Sequence, residues 1–75
     1  MRGNQEEFKM LAKKIRQCRK QMGWSQQVLA DRAGISRGYL SKIETAGDGS
    51  SFSMDILFSL SKALKRSPSE LLTWE

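Results

Sequence analysis

Residues 24–44, WSQQVLADRAGISRGYLSKIE, contain the start signals of two short helices on either side of one glycine. Ser25 and Ser36 are hydroxyl residues of the kind that cap helix N-termini, and each follows an apolar residue that can close over the first turn as a hydrophobic staple. Gly34 stands between them, where the residue just past a helix end often needs a positive φ. Two capped helices around a glycine turn predict a helix-turn-helix.

The second of these helices is predicted to place polar and apolar residues on opposite arcs. At about 100° per residue, Tyr39, Leu40 and Ile43 fall together and anchor the helix to the core. The other arc has cations, hydroxyls and a glycine, as a helix that reads the major groove of DNA requires. A solvated outer face is the alternative, but the paired caps and the glycine turn favour DNA reading. This polar arc consists of Arg37, Gly38, Ser41, Lys42 and Thr45.

The motif resembles the phage-repressor and Cro type of helix-turn-helix domain, often called XRE-like. The resemblance extends from about Ile15 to Leu72 and rests on combined spacing rather than on any single residue. It implies an all-α, compact, five-helix fold of the lambda-repressor-like kind, with the motif itself at 25–44. The matching positions are Arg19, Gly23, Ser25, Gln26, Leu29, Ala30, Gly34, Ile35, Ser36, Leu40, Ile43 and Glu44.

The resemblance also implies which residues contact DNA. In such domains the residue in the place of Gln26 contacts the DNA backbone and supports the reading helix. The residues at the positions of Arg37, Gly38 and Lys42 contact base edges in such domains. For the two cations, guanine O6 and N7 are suitable acceptors. We therefore predict base contacts from Arg37, Gly38, Ser41 and Lys42, and backbone contacts from Ser25, Gln26, Gln27, Ser36 and Tyr39.

A structural ion pair between Arg19 and Glu44 is a further implication of the resemblance. An arginine late in the opening helix of such domains commonly pairs with the glutamate that ends the reading helix. Desolvation favours the same pair, because a charge beside a small core is costly unless it is matched. Two independent surface charges are the alternative.

Two places depart from the family pattern. Val28 stands where glutamate is frequent, so the first motif helix lacks one half of a capping box and its N-terminus should be weaker. After the reading helix the usual glycine is replaced by Ala46, with Gly47 only afterwards. We expect a long loop, AGDGSSF, at residues 46–52.

The composition bounds the class of protein. Seventy-five residues make a single domain, 1–75, and thirteen Lys and Arg against eight Asp and Glu give a net charge of +5. That balance favours a polyanionic partner, although solubility alone is the alternative. One cysteine and no histidine exclude an intrachain disulfide and the usual zinc patterns, so we expect no metal or cofactor. We interpret Cys18 as an inert, partly buried thiol.

Membrane and export signals are missing from the sequence. No apolar run approaches the roughly 20 residues of a membrane span. The N-terminal stretch MRGNQEEF lacks the hydrophobic region of a signal peptide. We expect a cytoplasmic protein with no membrane partner and no small-molecule ligand.

The opening helix is predicted to be scaffold. It begins at Gln5 or Glu6 and ends at Gly23, and residues 1–4 are expected to be disordered. Its apolar stripe is Phe8, Leu11, Ala12, Ile15, Cys18 and Met22. Cations off the stripe form a solvated face, from which we expect one or two contacts to DNA phosphate: Lys9, Lys13, Lys14, Arg16 and Lys20.

Two C-terminal helices are predicted within residues 53–74. Ser53 caps the first, whose apolar side chains span about 220°, roughly twice what packing on one side needs. Ser67, Pro68 and Glu70 form the start of the second, with a capping box. The surplus apolar surface indicates a dimer interface, although the last helix could instead fold back and cover it all. The interface residues that we predict are Met54, Phe58, Leu71 and Trp74.

These features predict a sequence-specific regulator of transcription that binds duplex DNA as a homodimer on a palindromic operator. A repressor or a restriction-modification controller would fit. The alternative is a protein-interaction module, such as an antitoxin or an accessory subunit with the same fold. An enzyme is the weakest hypothesis, because the chain has no histidine, no cofactor-type glycine loop and no paired acids in a cleft.

Overall fold

The computed structural model describes residues 5–45 and 52–73, which contain five helices and, in these two ranges, no strand. The predicted all-α, five-helix fold is therefore confirmed. No helix in the same ranges is long and apolar enough to cross a membrane. The expectations for residues 1–4, for the loop at 46–51 and for Trp74 lie outside the described residues. The helices are α1 (Gln5–Gln21), α2 (Gln26–Ala33), α3 (Arg37–Glu44), α4 (Met54–Leu64) and α5 (Pro68–Leu71).

Each helix after α1 begins at a serine cap, as the sequence predicts. In all four, the serine Oγ accepts a hydrogen bond from the backbone N–H three positions on, at 3.0 to 3.3 Å. Such a cap typically stabilises a helix by about 1 kcal/mol. These four caps therefore set where the short helices start. The capping serines are Ser25, Ser36, Ser53 and Ser67.

The shortest helix, α5, has the full capping box that its sequence predicts. The backbone N–H of Ser67 donates to Glu70 Oε1 at 2.8 Å, and Pro68 occupies the first turn. The Ser67 N–H, assisted by the nearby charges of Arg66 and Lys14, holds the pKa of Glu70 below its ordinary value of 4.5. Glu70 is therefore a carboxylate at neutral pH and can keep both halves of the box.

Two helix ends use the glycines that the sequence marks. Gly23 and Gly34 have φ of 76° and 73°, in the left-handed region. The N–H of Ile35 donates to the carbonyl of Ala30 at 3.0 Å, which closes the end of α2 as a Schellman motif. A side chain at such a φ would cost roughly 1–2 kcal/mol. Gly34 therefore sets the turn between α2 and α3.

The end of α4 makes the same turn without a glycine. Lys65 takes φ 56° and ψ 40°, and it is the one non-glycine residue with positive φ in the described part of the chain. The N–H of Arg66 donates to the carbonyl of Ser61 at 2.9 Å. The helix end is thus closed as at Gly34, but at the steric cost of a Cβ.

Replacing Lys65 by Gly should therefore stabilise the protein. The relief of roughly 1–2 kcal/mol is partly offset by the backbone entropy of glycine, so we expect the free energy of unfolding to rise by about 0.5–1 kcal/mol. Urea denaturation measures this change. Lys65→Ala is the matched control, because it removes the same ammonium group and leaves the strain in place. An equal gain in both variants would mean that charge, rather than backbone strain, is responsible.

The core lies where α2 packs against α3 and α4, and where α1 also packs against α3 and α4. Ala30 is fully buried there, and its small side chain lets the motif helices approach closely. Phe8 and Phe52 close one end of the core, with ring centroids 5.3 Å apart in an edge-to-face arrangement. Cys18 is a free thiol that is 2% exposed, so it is buried more fully than the partly buried thiol interpreted from the sequence. The largest fully buried side chains are Ile15, Leu29, Leu40, Leu60, Leu64 and Leu71.

Leu71, the last of these residues, is buried in the core and not at an exposed interface. Leu71 was expected at a dimer interface, but it is 0% exposed, because α5 packs back onto α1 and α4 and inserts this side chain into the core. Its neighbour Leu72 is 46% exposed instead. On α4, Met54 and Phe58 remain 59% and 43% exposed, so α5 takes up only part of the apolar surface of α4.

Candidate nucleic-acid interface

The polar arc of α3 faces outward. Arg37, Gly38 and Lys42 are exposed, whereas Leu40 and Ile43 on the other side of the helix are buried in the core. The prediction that Tyr39 anchors the helix with them is wrong, because this residue is 38% exposed. Ser36 fixes the start of the helix by accepting the N–H of Tyr39 at 3.0 Å. The helix therefore presents two cations and a bare backbone position to solvent while its opposite side is held rigidly.

The far end of α3 is held by an ion pair with α1. Arg19 Nε donates to Glu44 Oε2 at 2.8 Å, and Arg19 Nη2 donates to Glu44 Oε1 at 2.9 Å. The two side chains are 10% and 0% exposed. Arg19 Nη1 also donates to the backbone carbonyl of Trp24 at 2.7 Å. This bidentate geometry gives both buried charges the partners that burial demands.

Gln26, the first residue of α2, joins the same pair. Its Nε2 donates to Glu44 Oε1 at 3.1 Å, so one carboxylate holds α1, α2 and α3 together. The family resemblance implies that Gln26 supports the reading helix, and the bond to Glu44 provides that support. Its partner could not be named from the sequence, because the contact depends on side-chain rotamers rather than on spacing. One proton of the amide is committed to Glu44, and the other remains available for an external acceptor.

The N-terminus of α2 presents further donors beside Gln26. Ser25 accepts hydrogen bonds from two of the first N–H groups of the helix: its Oγ accepts from Val28 and its carbonyl oxygen accepts from Leu29. By helix geometry, the N–H groups of Gln26 and Gln27 have no acceptor within the helix and suit an anion such as phosphate. The side chain of Gln27 bonds to Asp31 at 2.8 Å along the exposed surface of α2.

The turn between α1 and α2 is fixed by a stacking contact that the sequence did not reveal. The guanidinium of Arg32 lies 4.5 Å from the centroid of the Trp24 ring, in a cation–π arrangement. The backbone carbonyl of Trp24 meanwhile accepts from Arg19. Both ends of this residue are therefore held, which positions the start of α2.

The cations of α1 do not share one surface. Lys9 and Lys13 line a groove with Glu44 and Thr45 at the end of α3, and Lys9 also pairs with Glu6 at 3.4 Å. Lys14 lies on another side, near enough to Glu70 of α5 to lower the pKa of that carboxyl. Of the cations predicted to form one solvated face, Lys13 is therefore the better candidate for a phosphate contact beside α3.

Within residues 5–45 and 52–73, no three His, Cys, Asp or Glu side chains come together as ligands. The described site offers instead cations, amides and helix N-termini. These groups bind phosphates and base edges.

Comparisons with known proteins agree with this geometry. A family model described as helix-turn-helix matches residues 15–71. Among solved structures, the chain is similar to the restriction-modification controller protein C.AhdI from Aeromonas hydrophila, with 28% sequence identity and a TM-score of 0.79. The alignment covers 88% of this chain and 97% of that one. Among curated protein sequences, no significant match was found.

Proposed function

We propose, because this chain belongs to the XRE-type helix-turn-helix family, that it acts as a homodimer on a palindromic operator. That it is a DNA-binding regulator of transcription follows from the family and from its structural neighbour. The outward polar arc of α3, on a helix fixed at its other end by Glu44, supports sequence-specific reading of DNA. The exposed apolar side chains of α4 and of the end of α5 support the dimer. The likeness to a restriction-modification controller favours that type over a phage repressor.

Base reading is assigned to Arg37 and Lys42. Lys42 lies about 7.5 Å further along α3 than Arg37, at roughly 1.5 Å per residue. This offset suits nearby base pairs, which are spaced about 3.4 Å apart along DNA and which a tilted helix meets in succession. Both side chains suit guanine O6 and N7, the acceptors of the major groove. Gly38 and Ser41 complete the contact surface between them.

Backbone contacts are assigned to the starts of the two motif helices. The free N–H groups at Gln26 and Gln27, and the second amide proton of Gln26, would donate to one phosphate. Exposed Ser25, Ser36 and Tyr39 lie at the same helix starts and would fix register on the DNA backbone. Lys13, beside the end of α3, would add charge without reading sequence.

Dimerisation is assigned to three exposed apolar side chains, Met54, Phe58 and Leu72, which we take together as the dimerisation surface. These side chains are exposed on α4 and at the end of α5, away from the polar arc in sequence. A two-fold axis through this surface would present two copies of α3 to half-sites about 34 Å, or one helical turn, apart. The palindromic symmetry of the operator follows from that two-fold axis.

Replacing Arg37 by Ala should reduce sequence discrimination more than general affinity. We expect a loss of roughly 1–3 kcal/mol per half-site on the operator and much less on random duplex, because a bidentate contact to one base pair is removed. The operator is first selected from random duplex DNA. Salt titrations of affinity for the operator and for a random duplex then give both the specificity ratio and the salt slope.

Two lysines of α1 provide matched controls for this variant. Lys13→Ala should weaken binding to all duplexes alike and lower the salt slope by about one per protomer, or about two for the dimer. Lys14→Ala, which removes the same charge on the side facing Glu70, should leave the specificity ratio and the slope unchanged. If Arg37→Ala weakened both duplexes equally, the base-reading assignment of α3 would have to be withdrawn.

A protein-interaction module is the second candidate, and the same exposed apolar surface is its support. An antitoxin or accessory subunit would use Met54, Phe58 and Leu72 to meet a different protein. Such a chain would stay monomeric alone, would bind no duplex at low salt and would co-purify with one stoichiometric partner. Sedimentation of the purified chain, with and without duplex DNA, separates the two candidates.

A further inference from the structure

In the part of the chain that the structure describes, no feature requires a glycine at position 38. It is the second residue of α3, and its φ is not positive, unlike the φ of Gly23 and Gly34. Apart from its chain neighbours and the backbone of its own helix, a Cβ built at Gly38 would meet no atom of the described residues within 4 Å. Neither backbone conformation nor packing within the chain therefore explains a residue that disfavours the helix it sits in.

Gly38 lies on the polar arc of α3, the surface that faces solvent. At about 100° per residue, it falls between the directions of Arg37 and Lys42, near the middle of the polar arc. Ser41, one turn further on, is also short, so the backbone at Gly38 is open to solvent. Any group that approaches α3 through the middle of its arc can touch the Cα of Gly38 directly, with a longer cationic side chain on either side.

The chemistry of the major groove limits what that group can be. Guanine, cytosine and adenine present polar atoms there, while thymine adds an apolar projection, its 5-methyl group. A polar base edge pressed against the Cα hydrogens would lose its water and gain no partner. A methyl group loses nothing by the same contact and gains by leaving water.

We propose that Gly38 accepts the 5-methyl group of a thymine, within one base pair of the guanine that Arg37 reads. This makes Gly38 a residue that determines specificity by having no side chain. The inference rests on the proposed function, since it requires that α3 enters the major groove of an operator. It adds a defined chemical requirement, a methyl group at one place in each half-site.

The first test removes the methyl group from the DNA. In the selected operator, each thymine is replaced in turn by uracil, symmetrically in both half-sites, which changes nothing except the 5-methyl group. One replacement should weaken wild-type binding by roughly fourfold per half-site, the effect of burying a single methyl group. At the same place, a 5-methylcytosine·guanine pair should bind more tightly than cytosine·guanine by a similar factor, because the methyl group is restored.

The second test moves the methyl group to the protein. Gly38→Ala places a Cβ in the space proposed for the thymine methyl, so this variant should bind the thymine operator at least tenfold more weakly than wild type does. Its preference should be reversed, with tighter binding to the uracil operator, where the new methyl group fills the gap. Thermal melts should show the variant to be at least as stable as wild type, since the position is open and alanine favours helix.

Each outcome has a definite consequence. Reversal of the thymine preference in Gly38→Ala at the one methyl-dependent position supports the contact. Equal loss of affinity for the thymine and uracil operators overturns it, as does a selected operator in which no thymine depends on its methyl group. In those cases the proposed function stands, because an operator was selected. A chain that selects no operator overturns the proposed function and this inference together.

Discussion

The Arg19→Met variant is expected to lose roughly 3–5 kcal/mol of unfolding free energy. Its partner Glu44 would remain 0% exposed with its strongest donors removed, and only the neutral amide of Gln26 would still contact it. In a domain of this size, each kcal/mol lowers the melting temperature by about 4–8 °C. A fall of at least roughly 12 °C in a thermal melt is therefore expected.

An exposed arginine on the same helix provides the control. Arg16→Met makes the same chemical change one turn earlier on α1, at an exposed position, and should alter the free energy of unfolding by no more than about 0.5 kcal/mol. In the double variant Arg19→Met with Glu44→Leu, much of the lost stability should return, because no charge is left buried and unmatched. Additive effects of the two single changes would show that the pair is not coupled.

Changing Phe58 to Glu is the second change with a large expected effect. A buried aromatic residue at the centre of an interface typically contributes about 2 kcal/mol or more, and a two-fold interface contains it twice. If the proposed dimer forms through α4, it should therefore dissociate roughly a thousandfold more readily, at about 4 kcal/mol in total. Binding to the palindromic operator should fall with it, because dimerisation and DNA binding are linked. Sedimentation velocity and operator titration measure the two effects.

Met10→Glu is the comparison for oligomeric state. Met10 is 39% exposed, close to the 43% of Phe58, but it lies on α1 in the groove beside Thr45. This variant should sediment as wild type does. If the Phe58→Glu protein remained dimeric, α4 would not form the interface. A wild-type monomer that bound one half-site at full affinity would contradict the proposed dimer altogether.

The helix starts could be predicted from sequence because their causes are local. A serine cap acts on an N–H three residues away, so the four caps depend only on short spacing and all four are found. The turn at Gly34 could be predicted for the same reason, since its φ of 73° follows from the residue type and from its place between two helices. The long-range pair of Arg19 and Glu44 came from family resemblance and from the cost of burying charge.

Other features needed the three-dimensional packing. Nothing marks Lys65 as left-handed, because a lysine there is compatible with many helix ends, and the strain appears only in the backbone. The periodicity of α5 does not show which of Leu71 and Leu72 is buried, since neighbouring apolar residues at the end of a four-residue helix leave the direction of packing open. The amide contact from Gln26 to Glu44 joins residues on different helices through one rotamer.

The division of α3 into a bonded side and a free arc bears on how such a regulator could change its target. Leu40, Ile43 and Glu44 hold the helix in place, whereas no hydrogen bond or ion pair joins the side chains of Arg37 and Lys42 to the rest of residues 5–45 and 52–73. Substitutions at Arg37 and Lys42 should therefore change the free energy of unfolding little. A gene duplicate could acquire a new operator through a few arc substitutions, without first acquiring stabilising changes elsewhere. The same separation makes the arc a natural place to randomise when designing regulators that ignore one another's operators.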